Sequence, residues 1–479
     1  MTDFAPLPFP EMRTSNPAIN RAYRIAMGDL LGNVRMFQDG LLDAPQPVLL
    51  AGLDYDTPWT RDASINVWNG LGLFWSGAAR NTLLAVLERR QDGLYIGGQY
   101  WDAMIWSIGA WTFYLHTGDR DFLSLAFEAV KNSLVHFERN EFDEQVGLFR
   151  GPAVYGDGVA AYPDRYSPGG TSSILDWVKA NPEKKAQKGF GIPMKSLSTN
   201  CVYAQAHRIA GLMARECGDD SGSVYSERAD ELAGRVREHF WNPSLGSFNY
   251  LFDSEEVCDH QEGLGHAFAI LFRIADDGQS ASVLSRQHVT DFGIPCVWPT
   301  FPRYSELGGY GRHSGTVWPF ISGFWGEAAL SQGRADLFAR EFSTLTENIN
   351  RSGQCAEIYH PDTGEVYGGL QENGSGPHGM DWISCTRQSW TASAYVRMLL
   401  GGLFGLRFSA EGINFSPYLA ASVDGAEIRG IRYRNCEMNL SVEGRGGRIV
   451  EFQRNGAQTS PFIAADSHGE QRIRILLAE

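Results

Sequence analysis

Residues 198–240 read STNCVYAQAHRIAGLMARECGDDSGSVYSERADELAGRVREHF. Apolar residues recur at helical spacing from Ser198 to Cys217 and again from Ser223 to Phe240. A short Gly-Asp-Asp break divides the two runs, and Trp241-Asn242-Pro243 with Gly246 ends the pair. This is a helical hairpin. Upstream, helical patterns cover 16–36, 63–89, 100–115 and 121–139, the first with Ser15 or Asn16 as cap and Pro17 in its opening turn. Downstream they cover 260–274, 278–288, 314–331, 334–349 and 387–404.

That makes about eleven helical segments, mostly paired through short turns, more than a four-helix bundle uses and without a fixed repeat. The expected fold is mainly α, with helical hairpins around a common axis: an (α/α)6 toroid over residues 1–408. From Gly412 the pattern changes to alternating runs such as Ile428–Arg434, Cys436–Val442 and Ile473–Leu477, parted by glycines 444, 446 and 447. A small antiparallel β domain over 409–479 is expected there.

Of the 479 residues 43% are hydrophobic and 20% charged, enough for a sizeable core. The net charge of −15 argues against nucleic acid and anionic membranes, which need clustered Lys and Arg. Seven cysteines lie scattered without a CxxC, and Cys258-Asp259-His260 has no second pair, so neither a metal site nor a disulfide framework is expected. No cofactor motif occurs. The first residues lack a basic and apolar leader, and no apolar run is long enough for a membrane span, so the expected location is the cytoplasm. Oligomeric state is left open.

Three stretches between helices carry candidate chemistry. Tyr155-Gly-Asp157-Gly-Val-Ala-Ala-Tyr162-Pro163 sets a carboxylate between two glycines, with tyrosines that could stack on a sugar ring. Read alone, such a stretch is more often an Asp-Gly surface turn. Trp59-Thr60-Arg61-Asp62 could hold sugar hydroxyls through charge-assisted hydrogen bonds, or simply cap a helix. The third is Gln354-Cys-Ala-Glu357-Ile-Tyr359-His-Pro361, with Trp382 and Trp390 beyond it. Two carboxylates on distant loops, one a general acid and one a base or nucleophile, are what glycoside hydrolysis requires. His313, His360 and His378 lie near these loops.

In this order the segments resemble the six-hairpin (α/α)6-barrel glycosidases of the trehalase, processing α-glucosidase (family 63-like) and glycogen-debranching type, over about residues 16–405. Trp59–Asp62 is similar to that family's aromatic-xRD loop and Gly156–Pro163 to its acid-bearing segment. Tyr310–Pro319 resembles YWRGPxWP or HNGxVWP, Cys355–Gly364 the base-bearing E-x-Y-x-P-x-T-G, and Trp382–Ala392 the closing helix start. The resemblance implies an inverting exo-glycosidase, α-glucosidase-like, with Asp157 as general acid and Glu357 as general base. Trp59, Arg61, Asp62, Trp101, Asp102, Tyr155, Tyr162, Arg312, His313, Trp318, Tyr359, Trp382 and Trp390 would bind the sugar. Asp157 should then have a pKa raised by burial. Gly158 stands where many members carry a second Asp, and His313-Ser314 fits neither form of the Trp318 segment, so altered specificity is expected. The alternatives are an epimerase or inverting phosphorylase on the same barrel, or a carbohydrate-binding toroid without catalysis.

Overall fold

The structure is a computed structural model that describes residues 9–167, 172–372 and 380–479. The hairpin quoted above is present. Helices Leu197–Cys217 and Gly222–Phe240 lie against each other, turned by Gly218 at φ 73°, a left-handed conformation that glycine takes readily. The same plan recurs in Thr60–Asn66 with Ser76–Leu84 and in Trp106–Thr117 with Arg120–Glu141. It recurs again in Pro319–Ser331 with Ala335–Ser352, while Asp277–Arg286 follows Gly263–Leu271 and packs on the strand Ser247–Phe248. Ser389–Arg397, near the end of the helical run, lies on Pro17–Gly32 at its start.

The two members of a pair differ in composition, and that difference sorts them into layers. In Trp106–Thr117 every residue except Thr117 is buried, as expected of a helix enclosed on all sides. Its partner Arg120–Glu141 buries a stripe that includes Phe122, Ala126, Val130, Leu134 and Phe137, and turns its other face to water. The enclosed helices touch one another in a closed ring. Thr60–Asn66 meets Trp106–Thr117, and contact passes through Leu197–Cys217, Gly263–Leu271, Pro319–Ser331 and Ser389–Arg397 back to Thr60–Asn66.

Several sequence expectations shift. The segment 63–89 is not one helix: after Asn66 it runs through a π-helical turn, Val67–Leu71, with Gly70 at φ 125°, and ends at Leu84. A Cβ on Gly70 would lie 2.8 Å from Leu400, so the kink lets two inner helices approach. Beyond it, Leu87–Arg90 and Gly93–Ile96 form a β-hairpin. Leu175–Ala180 adds a short helix where no helical segment was read. Of the C-terminal strands, Leu406–Phe408, Gly412–Phe415 and Phe462–Ala464 form a three-stranded sheet, and the others join a six-stranded one in the order Glu11–Thr14, Gly425–Tyr433, Asn435–Gly444, His468–Ala478, Arg448–Arg454, Ala457–Gln458. It is not wholly antiparallel, because Asn435–Gly444 and His468–Ala478 run parallel, and its first strand comes from the other end of the chain. Among the described residues no helix is long and apolar enough to cross a membrane.

Candidate active site

Trp59, Trp318 and Gln388 each stand immediately before the first residue of an inner helix. These helices therefore aim their N-termini at the same end of the ring, where partial positive charge favours carboxylates. A cavity of about 330 Å³ opens there, at the small end of the range for ligand sites. It is lined by Asp157 and Glu357, and by Trp59, Arg61, Asp62, Tyr155, Arg312, His313, Trp318, Trp382 and Trp390. Segments separated by most of the chain converge on one space.

Arg61 is the first hub. Its Nη1 donates to Asp102 Oδ2 at 3.0 Å, its Nη2 to Asp157 Oδ2 at 3.4 Å, and its Nε lies 4.0 Å from Asp62 Oδ2. Arg312 is the second. Its Nη2 donates to Glu357 Oε2 at 2.7 Å, and its guanidinium lies over the rings of Trp318 and Trp382. Glu357 also accepts from the Tyr55 hydroxyl at 3.1 Å and the Cys385 amide at 2.9 Å, so three donors fix it in an almost fully buried position. Asp157 and Glu357 thus face different arginines.

One wall is a stack of parallel rings. His313 lies between Tyr155 (centroids 5.7 Å apart) and Trp318 (4.5 Å), and Trp390 meets Trp318 edge-on at 5.6 Å. Burial, reinforced by Arg312, holds His313 down at about 3, so at neutral pH it is an uncharged part of that wall. Trp59 marks the rim, 40% exposed and at φ 43°, a conformation rare for a bulky residue.

The charge states differ from expectation at one residue. Asp157 is not raised: burial pushes it up, but opposing charge, led by the Arg61 guanidinium and aided by Arg312, holds its carboxyl below the ordinary range. Burial dominates instead at its neighbours, lifting Asp62 to about 8 and Asp102 to about 7 against the pull of Arg61.

The family model for the mannosylglycerate hydrolase MGH1-like glycoside hydrolase domain matches residues 103–391. The chain belongs to this glycoside hydrolase family. Its fold is shared by several solved structures. One is a sialidase, at 15% identity and TM-score 0.64 over 95% of this chain and 40% of that one. Another is a GH78 family rhamnosidase of Bacillus sp. GL1, at 14% and 0.61 over 98% and 44%. A third is the GH63 mannosylglycerate hydrolase from Thermus thermophilus solved with glucose, at 15% and 0.60 over 78% and 99%. The chain thus spans less than half the length of the sialidase and rhamnosidase chains and nearly all of the mannosylglycerate hydrolase. No curated protein matches it.

Four residues expected at the sugar stand behind the cavity of this glycoside hydrolase instead. Trp101 is buried edge-on against Tyr100. Asp102 accepts from Arg61 and from the Gln99 amide, and so positions the arginine without facing the cavity. Tyr162 is a strut, its hydroxyl accepting from Ala153 N at 3.0 Å and donating to Gly156 O across the turn that presents Asp157. Tyr359 pins the Glu357 loop in the same way, through Ala356 N and Gln354 O. These rings are wholly buried because their hydroxyls satisfy loop backbone. Tyr162→Phe should therefore lower the unfolding free energy by about 1–3 kcal/mol, through the Ala153 amide left bare. Calorimetry with parallel kinetics checks this: KM should barely move, whereas a hydrogen bond from this hydroxyl to the sugar would move KM first.

Sequence reasoning missed Tyr55, Gln99, Ser172, Ser173, Gln371 and Gln388, all of which line the cavity. Tyr55 and Gln388 adjoin recognised stretches, but nothing local marks Gln371 or the two serines. Ser314, a departure from the family pattern, serves the fold, because its hydroxyl accepts from Phe301 N at 2.7 Å. His360 lies against Tyr310 and Tyr367 away from the cavity, and His378 falls outside the described residues.

Behind Tyr155 lies Glu262, fully buried, its Oε2 accepting from Ser198 N at 3.0 Å. Burial raises its carboxyl from the ordinary 4.5 to about 8. Between those pH values the folded chain keeps a proton that the unfolded chain has lost, so stability falls as pH rises. Glu262→Gln should flatten this decline between roughly pH 5 and 8. Thermal melts of both proteins across that window check it; parallel melting curves would show that Glu262 has no part in it.

Proposed function

We propose that this enzyme is an inverting exo-glycosidase, α-glucosidase-like, that releases a terminal sugar from a short oligosaccharide or small glycoside. Asp157 is the general acid and Glu357 the general base. The observation that carries the reading is that these two carboxylates, from loops far apart in sequence, face one small cavity and are each held by a separate arginine. The closed ring of inner helices supports a six-hairpin (α/α)6 toroid over residues 1–408, with a β domain over 409–479. A mannosylglycerate hydrolase solved with glucose, among the structural relatives, supports a hexoside with a small leaving group. Seven unpaired cysteines fit a reducing cytoplasm.

In this mechanism Asp157 delivers its proton to the glycosidic oxygen as the bond to the anomeric carbon breaks. Glu357 removes a proton from water attacking the opposite face, which calls for carboxyls roughly 6.5–9.5 Å apart. The stacked wall of Tyr155, His313 and Trp318 and the rim residue Trp59 supply apolar ring faces, and Arg61 and Asp62 supply hydroxyl contacts. In the free enzyme Asp157 is ionised at neutral pH, because Arg61 outweighs its burial. A bound sugar that expels water from its side chain, 39% exposed in the open cavity, removes that solvation and raises its proton affinity.

The expected result is a basic limb for kcat that lies at higher pH than the basic limb for kcat/KM, since the first reports the complex and the second the free enzyme. Coincident limbs would remove this account of the acid. The stereochemical test is an NMR time course of the released sugar. The first anomer formed should be opposite to that of the substrate; retention would overturn inversion.

A further inference from the structure

Gly158 directly follows the acid, and its backbone does not explain why it is glycine. It is extended, at φ −91° and ψ 141°, which any residue adopts. Space explains it. A Cβ there would lie 2.0 Å from Gln371 Oε1 and 2.9 Å from its Cδ, so the Gln371 amide occupies the volume that a side chain at 158 would fill.

Gln371 is held firmly. Leu370–Gln371 pairs with Met380–Asp381, the Gln371 carbonyl accepts from Trp382 Nε1 at 3.2 Å, and the Leu370 carbonyl accepts from Arg312 N at 2.8 Å. Its side chain lines the cavity, the residue is 4% exposed, and its Oε1 has no hydrogen-bond partner among the described residues. A buried amide oxygen left bare costs about 1–3 kcal/mol, which a donor on a bound ligand would recover.

Because the acid protonates the leaving-group oxygen, what adjoins Asp157 adjoins the leaving group. Gly158 pairs with Ser173, and Ser172 and Ser173 line the cavity with Gln371. These are neutral hydrogen-bonding groups. The cavity's arginines are already engaged, Arg61 with Asp102 and Asp157 and Arg312 with Glu357. Arg303, behind the acid loop, is bonded to Glu372 and Asp164. The stretches 168–171 and 373–379 contain neither Lys nor Arg. No free cation therefore waits beside Asp157, among the described residues, for an anionic leaving group.

Resting on the glycosidase reading above, we infer that Gln371, with Gly158 making room for it, determines leaving-group specificity, and that the leaving group is a neutral polyol or sugar rather than an acid such as glycerate.

The test uses the full chain and matched substrates, α-glucosyl- and α-mannosylglycerol against the corresponding glycerates, which differ by one carboxylate. Wild type should favour the glycerol compound by roughly tenfold or more in kcat/KM, an electrostatic difference of about 1.4 kcal/mol. Gln371→Ala should cost about tenfold on that substrate yet stay within about twofold on the glycosyl fluoride, whose leaving group makes no such contact. Gln371→Lys should turn the preference toward the glycerate. A wild-type preference for the glycerate, or equal losses on glycerol compound and fluoride in Gln371→Ala, overturns the inference. Titration calorimetry of both ligands with Glu357→Gln reads recognition apart from turnover. No hydrolysis of any of these substrates by the wild type, with intact preference for the neutral ligand, would sink the glycosidase reading alone, and tighter binding of the glycerate would sink this one.

Discussion

Asp157→Asn should lower kcat on an unactivated glycoside by about 10²–10⁴-fold, the usual share of a general acid. The amide keeps the shape of the side chain and its place beside Arg61, 3.4 Å away, but has no proton to deliver. The loss should shrink sharply on a glycosyl fluoride, because a good leaving group needs no proton. Glu357→Gln should cost a similar factor with no such rescue, since water must still be deprotonated whatever departs. The contrast between substrates assigns the roles, and steady-state kinetics of both variants on both substrates measure it. Equal rescue of the two, or wild-type turnover in either, would reverse or remove the assignment.

Arg61→Met should have the largest effect on folding. Arg61 is 7% exposed and faces three aspartates, of which Asp62 and Asp102 are each 3% exposed. Removing the cation leaves buried acids uncompensated, and breaking such a pair costs about 3–5 kcal/mol. It also removes the leading charge that holds Asp157 low, so in the variant Asp157 should titrate higher. A depressed carboxyl stabilises the fold above its unfolded pKa and loses that contribution as pH falls through its folded value. The variant should therefore lose less stability than wild type on acidification below about pH 4. Denaturant melts across pH measure both effects. Should Arg61→Met fail to fold, Arg61→Lys serves: it keeps the charge but loses the fork that reaches Asp102 and Asp157 together, and should fall between the two. A melt unchanged by Arg61→Lys would show that the fork carries no stability.

Much of this molecule was legible residue by residue. Leu197–Cys217 with Gly222–Phe240 and Trp106–Thr117 with Arg120–Glu141 declare themselves through apolar spacing and turn glycines, which are local properties. The segments that meet at the cavity were recognisable for a similar reason. Tryptophans 59 and 318 sit at the mouths of helices, and the acids at 157 and 357 in short loop patterns. Where the helix broke, at Gly70, a neighbour from elsewhere in the chain, Leu400, comes close to the kink.

The sequence by itself determined the succession of paired helices, the change to strands near residue 412, and the stretches that bear the candidate acid, the candidate base and the aromatic rim. Each depends on residues within a few positions of one another. Only the tertiary structure decided that Tyr162 and Tyr359 hold loops together while Tyr155 and Trp318 face the cavity, since all four are aromatic residues beside a candidate acid, base or arginine. It alone set the charge on Asp157, because burial and an arginine brought from residue 61 oppose each other there. It also set Gln371 against Gly158, more than two hundred positions away, where one side chain fills the space left by the absence of another. Distance in space, which no local pattern encodes, settled all three.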